Sequence, residues 1–103
     1  MDIIEKLKDL ERESIERGIP IIGSVKGEFL LEKIKELNPK KVLELGTANG
    51  YSGIILAYRG AELTTIEIDK NIAEEAKRNF TKFNINANLI VGDATEIVKK
   101  LKG

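Results

Sequence analysis

Apolar residues recur at helical spacing through the first part of the chain. Ile3, Leu7, Leu10 and Ser14 share one stripe, Ile4 and Ile15 lie beside it, and Asp2 with Glu5 forms a capping box, so one amphipathic helix is expected over residues 2–17. Gly18 ends it, and Pro20 confirms the stop. After a loop from Ile19 to Ser24, a second helix is expected up to Leu37 on the stripe Leu30, Ile34 and Leu37, closed by Asn38-Pro39. Each helix has a single apolar face and needs a surface to pack on.

From Lys41 the pattern changes. Val42-Leu43-Glu44-Leu45 is a short apolar run that meets the turn Gly46-Thr47-Ala48-Asn49-Gly50, and a helix carrying Ile54, Ile55, Leu56 and Ala57 follows up to Gly60. Leu63 to Ile68 reads as a second strand. A long helix then starts at Asp69 or Asn71, with Asn71 and Glu74 as a capping box, and buries Ile72, Ala76, Phe80 and Phe83 before stopping at Asn84. Leu89-Ile90-Val91 is a third strand, and Asp93 with Glu96 caps a last helix on the stripe Ile97 and Leu101. Two helices followed by three β-α pairs imply parallel strands joined by right-handed crossovers, a three-layer α/β sheet.

Composition narrows the chemistry. At 103 residues, 42% hydrophobic and 33% charged, the chain is one domain with a modest core and not a disordered tail. Lys+Arg and Asp+Glu both number 17, which argues against binding nucleic acid by bulk charge. Without Cys or His, the chain has no thiol nucleophile, no Ser-His triad, no Cys or His zinc site and no histidine base. Chemistry must then come from carboxylates, Lys, Tyr, Ser/Thr, backbone amides or a bound cofactor. Thirteen Lys and thirteen Glu against four Arg and four Asp, with fifteen Ile, match the bias of heat-adapted proteins, which many low-GC genomes also produce. Apolar stretches fall far below the ~20 residues of a membrane span, and the amino terminus starts charged, so a soluble cytoplasmic chain without a membrane partner is expected.

The sharpest feature is the strand, acidic residue, Gly-x-Ala-x-Gly turn and helix from Val42 to Ser52. Small residues at the end of a parallel strand let the backbone approach a ligand closely, and the helix start offers amides to a negative group. A tight βα turn needing glycine for its backbone angles alone is the plainer explanation. A dinucleotide fingerprint, Gly-x-Gly-x-x-Gly, would fall on Gly46, Ala48 and Tyr51, with two glycines missing and a bulky ring where helix must press on sheet. A cofactor without phosphate fits better: Glu44 is placed to attract an ammonium, and Ser52 with the turn amides to take a carboxylate. The acidic Glu67 ends the second strand 21 positions after Gly46, a spacing that suits ribose hydroxyls and would serve NAD equally.

The run Glu44-Leu45-Gly46-Thr47-Ala48-Asn49-Gly50-Tyr51-Ser52 closely resembles the first motif of class I S-adenosylmethionine-dependent methyltransferases, in the catechol and caffeoyl-CoA O-methyltransferase branch. Ala48 replaces the middle glycine of the broader family, a departure this branch tolerates. Gly23-Ser24-Val25-Lys26-Gly27 resembles the segment opening the preceding helix, Thr65-Ile66-Glu67-Ile68-Asp69 the second motif, and Gly92-Asp93-Ala94 the third. Four motifs in order span roughly residues 20 to 101.

The resemblance implies the cofactor-binding half of a Rossmann-like methyltransferase sheet, three parallel strands in the order 3-2-1 with two N-terminal helices. Residues 1–38 would be the N-terminal helices and 39–103 the βαβαβα core of one truncated domain. It implies S-adenosylmethionine or S-adenosylhomocysteine as the ligand. Gly46, Ala48 and Gly50 would line the methionine part, with Ser52 at its carboxylate and Glu44 near its amino group; Thr47 and Tyr51 join the cofactor-binding set, with packing alone as the other reading of Tyr51. Glu67 would accept from the ribose hydroxyls, Ile68 would pack on the adenine, and Asp93, beside Gly92 and the Ala94 amide, would accept from the adenine amino group while also capping its helix. Asp69 reads as a turn or cap residue. The family's metal ligands, lysine base and acceptor pocket lie beyond the third strand, so no catalytic residue is assigned, and a divalent metal would require the other half. The first strand would become an unpaired apolar edge, for which a homodimer is expected. A non-catalytic oligomeric module with a vestigial turn, and a nicotinamide-dinucleotide module, are the alternatives.

Overall fold

The structure, a computed structural model, describes residues 2–102, with residues 101 and 102 described by their backbone alone. Nine elements follow in order: α1 (Ile3–Lys6), α2 (Lys8–Glu16), α3 (Gly23–Leu37), β1 (Lys41–Leu45), α4 (Tyr51–Ala57), β2 (Glu62–Glu67), α5 (Lys70–Lys82), β3 (Ala87–Val91) and α6 (Ala94–Lys102). The strands form one parallel sheet in the order β1-β2-β3, with Val42 opposite Leu63, Leu45 opposite Ile66 and Glu67 opposite Val91. This is the expected half of a Rossmann-like sheet.

Strand order running in one direction, with right-handed crossovers, puts α4 and α5 on the same face. Glu44 bonds to Ser52 of α4 and so points into that helical layer. Leu43 and Leu45 alternate to the opposite face, where Leu45 shares a cavity with Val98 of α6. The third layer is therefore α6, and Leu43 and Leu45 stay 51% and 58% exposed beside it. The main core lies between the sheet and helices α1, α3, α4 and α5. Leu7, Leu31, Ile54, Ile55 and Leu63 are fully buried there, with Phe80 of α5 packed among them.

Local corrections follow from packing. The first helix breaks at Leu7 (φ −92°, ψ 2°), so the sheet is preceded by three helices and not two. The break leaves Ile3, Ile4 and Leu7 all buried on one side. Helix α3 starts at Gly23, two residues earlier than expected, and buries Gly27, Leu31 and Ile34, while Leu37 is exposed. Asn38 closes it in the left-handed region at φ 44°. Asp69, and not Asn71, caps α5: its Oδ1 accepts from the amides of Asn71 and Ile72. Ile68 lies past the end of β2, and β3 begins two residues early, at Ala87. Asp93 caps α6 as expected, Oδ1 accepting from Thr95 and Glu96 amides at 2.8 and 3.2 Å. The Leu101 side chain, expected on the α6 stripe, lies outside the described residues.

Candidate functional site

The turn after β1 is closed by one bond of its own, the Gly50 amide donating to the Thr47 carbonyl at 3.1 Å, and is otherwise tied to its neighbours. The amides of Gly46 and Thr47 both donate to the Ile66 carbonyl of β2, at 2.9 and 3.2 Å, which carries the ladder one step beyond the strand. Gly46 has φ +89°, and nothing lies within 4 Å of where its Cβ would stand. The glycine satisfies a left-handed backbone and leaves open space in front of it. Ala48 is left-handed too (φ 49°), held there by its amide donating to Glu67 Oε1 at 2.8 Å. Asn49 is fully buried: its Nδ2 donates to Ser14 Oγ at 2.6 Å, and its carbonyl accepts from Asn79 Nδ2 at 2.8 Å.

Behind the turn lies a hydroxyl network. Ser52 Oγ donates to Glu44 Oε2 at 2.6 Å, Thr65 Oγ1 donates to Glu44 Oε1 at 2.7 Å, and Thr47 Oγ1 meets Thr65 Oγ1 at 2.6 Å. Burial pushes the Glu44 carboxyl above its ordinary value; the Ser52 and Thr65 hydrogen bonds pull against that, and the nearby Glu67 charge adds to it. Tyr51 is 1% exposed, and its hydroxyl has no partner among the described residues. Burial and the charges of Glu11 and Glu28 push it up to about 12.

Two cavities meet at Gly46. The first, about 280 Å³, is walled by Thr47, Ala48, Tyr51 and Ser52 on the turn side and by Pro20, Ile21 and Ile22 on the other. The second, about 270 Å³, runs between Glu67 and Ile68 after β2 and Gly92, Asp93 and Ala94 after β3. Ligand sites begin at about 300 Å³, so the two joined across Gly46 form one elongated site more readily than two separate ones. Glu67 projects into the second cavity with one amide on each oxygen: Ala48 on Oε1 and Asp69 on Oε2, at 2.8 and 3.0 Å. A carboxylate has about four acceptor positions, so each oxygen retains one for a ligand hydroxyl. Asp93 caps α6 through Oδ1 alone, which leaves Oδ2 for a ligand donor.

Of the residues expected at the site, the structure places Gly46, Thr47, Ala48, Tyr51 and Ser52 on the first cavity and Glu67, Ile68, Gly92, Asp93 and Ala94 on the second. Two stand apart. Glu44 lies behind Ser52, engaged with hydroxyls, and Gly50 packs on Phe80, whose Cε1 would be 3.2 Å from an added Cβ. Sequence reasoning missed the wall Pro20-Ile21-Ile22, although an Ile-Pro-Ile-Ile loop is too apolar to stand in water unassisted. It also missed Thr65, Asn79 and the tie from Asn49 to Ser14; Ser14 on an apolar stripe was the visible signal.

The O-methyltransferase family model matches residues 2–103. Among curated proteins, the chain is 33% identical over 87 residues to the transmembrane O-methyltransferase homolog of Mus musculus, covering 79% of this chain and 34% of that one. It is 39% identical over 57 residues to a protein-L-isoaspartate O-methyltransferase of Xanthomonas campestris, covering 55% and 25%. A solved O-methyltransferase from Streptomyces achromogenes, involved in tomaymycin synthesis and in complex with SAM, superposes with TM-score 0.81 at 25% identity, covering all of this chain and 48% of that one. The O-methyltransferase from Bacillus cereus in complex with SAH shares the fold, with TM-score 0.78 at 23% identity over 96% of this chain and 47% of its own. The chain spans about half of these solved chains and a quarter to a third of the curated relatives. Among the described residues no helix is long and apolar enough to cross a membrane.

Proposed function

Because the chain belongs to the O-methyltransferase family, we propose that the joined cavities at Gly46 hold S-adenosylmethionine, making this stretch the cofactor-binding half of an O-methyltransferase. The observation that carries the reading is Glu67: a carboxylate braced by one backbone amide per oxygen, each with an acceptor position left for one of two vicinal ribose hydroxyls. Asp93 Oδ2 accepts from the adenine amino group, and the exposed Ile68 covers an adenine face. Ser52 and the turn meet the methionine end, with Ile21 and Ile22 excluding water from it. When bound, the cofactor supplies an electrophilic methyl group on a sulfonium.

In this reading the residues that hold the acceptor, its base and any divalent metal belong to the other half of the fold. Support comes from the half coverage of the solved relatives. We extend it to assembly for the 103-residue chain by itself: among the described residues β1 pairs with β2 alone, and Leu43 and Leu45 are half exposed, so a second copy meets this edge across a twofold axis. Sedimentation of that chain as a monomer at high concentration would reject the dimer. Titration with S-adenosylhomocysteine against NAD tests the cofactor reading, and preference for NAD would replace it.

A further inference from the structure

The hydroxyl protons around Glu44 all run one way. A hydroxyl has one proton to donate, and an ionised carboxylate accepts only. Thr65 gives its proton to Glu44, so Thr47 gives its own to Thr65. Ser52, on the wall of the first cavity, likewise spends its proton inward on Glu44 and turns only lone pairs toward a ligand. In that state Ser52 suits a ligand N–H and opposes a ligand carboxylate.

We propose that Glu44 is a positioning residue that takes up a proton when a carboxylate-bearing ligand enters the first cavity, reversing its hydrogen bond with Ser52 and making Ser52 a donor to that ligand. The proton comes from solvent and forms an O–H bond on Glu44 Oε2. That O–H then donates to Ser52 Oγ, and the Ser52 proton turns to the ligand's carboxylate oxygen. Thr65 keeps donating to Oε1 throughout. The proposal rests on the reading above, which puts the cofactor's carboxylate at Ser52.

The surroundings favour uptake. α4 brings Ser52 to Glu44, and β2 brings Thr65 and, two residues on, the like charge of Glu67. The ion pairs found among the described residues all lie elsewhere, so none of them holds Glu44 ionised. Burial already lifts its carboxyl above the ordinary value. Glutamine at this position reproduces the protonated arrangement, with Nε2 donating to Ser52 and Oε1 accepting from Thr65.

The experiment is calorimetric titration of the full chain with S-adenosylhomocysteine in buffers of different ionisation enthalpy, from about pH 5.5 to 8.5. Up to one proton should be taken up per ligand bound, with affinity falling up to about tenfold per pH unit above the Glu44 pKa. Glu44→Gln should abolish both the uptake and the slope while keeping wild-type affinity or better at high pH. Binding without proton uptake at any pH would overturn the proposal and leave the cofactor reading standing. Should the homocysteine derivative not bind, the cofactor reading falls, and carbon-13 NMR titration of the ligand-free Glu44 carboxyl decides the coupling. Ser52→Ala removes a donor to the ionised form and should raise that pKa; an unchanged pKa would overturn the proposal.

Discussion

Asn49 Nδ2 donates to Ser14 Oγ at 2.6 Å across 35 positions of sequence, and both side chains are buried. Ser14 passes its own proton to the Leu10 carbonyl, so helix α2, the ligand turn and, through Asn79, helix α5 form one bonded unit. Asn49→Ala leaves Ser14 without its donor and opens a small void. The expected loss is about 1–3 kcal/mol, a fall in melting temperature of roughly 4–8 °C per kcal/mol for a chain of this size. A double-mutant cycle with Ser14→Ala should show coupling; additive losses would mean that the two side chains act independently.

Glu67 sets the second cavity and braces Ala48 at once. Glu67→Ala should weaken S-adenosylhomocysteine binding by at least tenfold while lowering the melting temperature by only a few degrees, because the carboxylate lies toward the surface end of β2. Equal affinity in the variant, measured by titration, would place the ribose elsewhere.

Two glycines separate packing from binding. A Cβ at Gly53 would stand 3.0 Å from both Leu63 Cδ2 and Phe80 Cε1, where α4 lies on the sheet, so Gly53→Ala should cost about 1–3 kcal/mol and spare binding in the folded fraction. Gly46→Ala meets nothing within 4 Å but forces a side chain into a left-handed backbone and into the ligand path. It should cost about 1–2 kcal/mol and also reduce affinity. Thermal melts and titrations on the same two variants check the contrast.

The buried Glu44 carboxyl holds its proton to a higher pH in the folded chain than in the unfolded one. Its stabilising share is complete below the ordinary value of 4.5 and is lost as pH rises through the raised folded value. Glu44→Gln escapes that loss. Its melting temperature should therefore match wild type near pH 4 and exceed it at neutral pH; a wild-type advantage at neutral pH would show that the ionised carboxylate stabilises the fold.

Much of this architecture was legible because its signals are local. Strand, glycine turn and capped helix are each written in adjacent residues, and Gly46, Glu67 and Asp93 can be located from their positions at strand ends. What escaped depends on partners distant in sequence. Whether Leu31 or Leu37 faces inward is decided by α1 and α4, and α3 buries the first and exposes the second. The Leu7 break follows from three apolar residues sharing one core. Glu44 looked like a ligand group because it precedes the turn, but strand alternation points it into the helical layer, where Ser52 and Thr65 take it up.

The most direct measurement is isothermal titration of S-adenosylhomocysteine into the purified chain, with NAD titrated in parallel. The account predicts saturable binding of one S-adenosylhomocysteine per cofactor site, weakened in Glu67→Ala, and no binding of NAD. Absence of heat with S-adenosylhomocysteine at high protein concentration, or saturation by NAD instead, would contradict it.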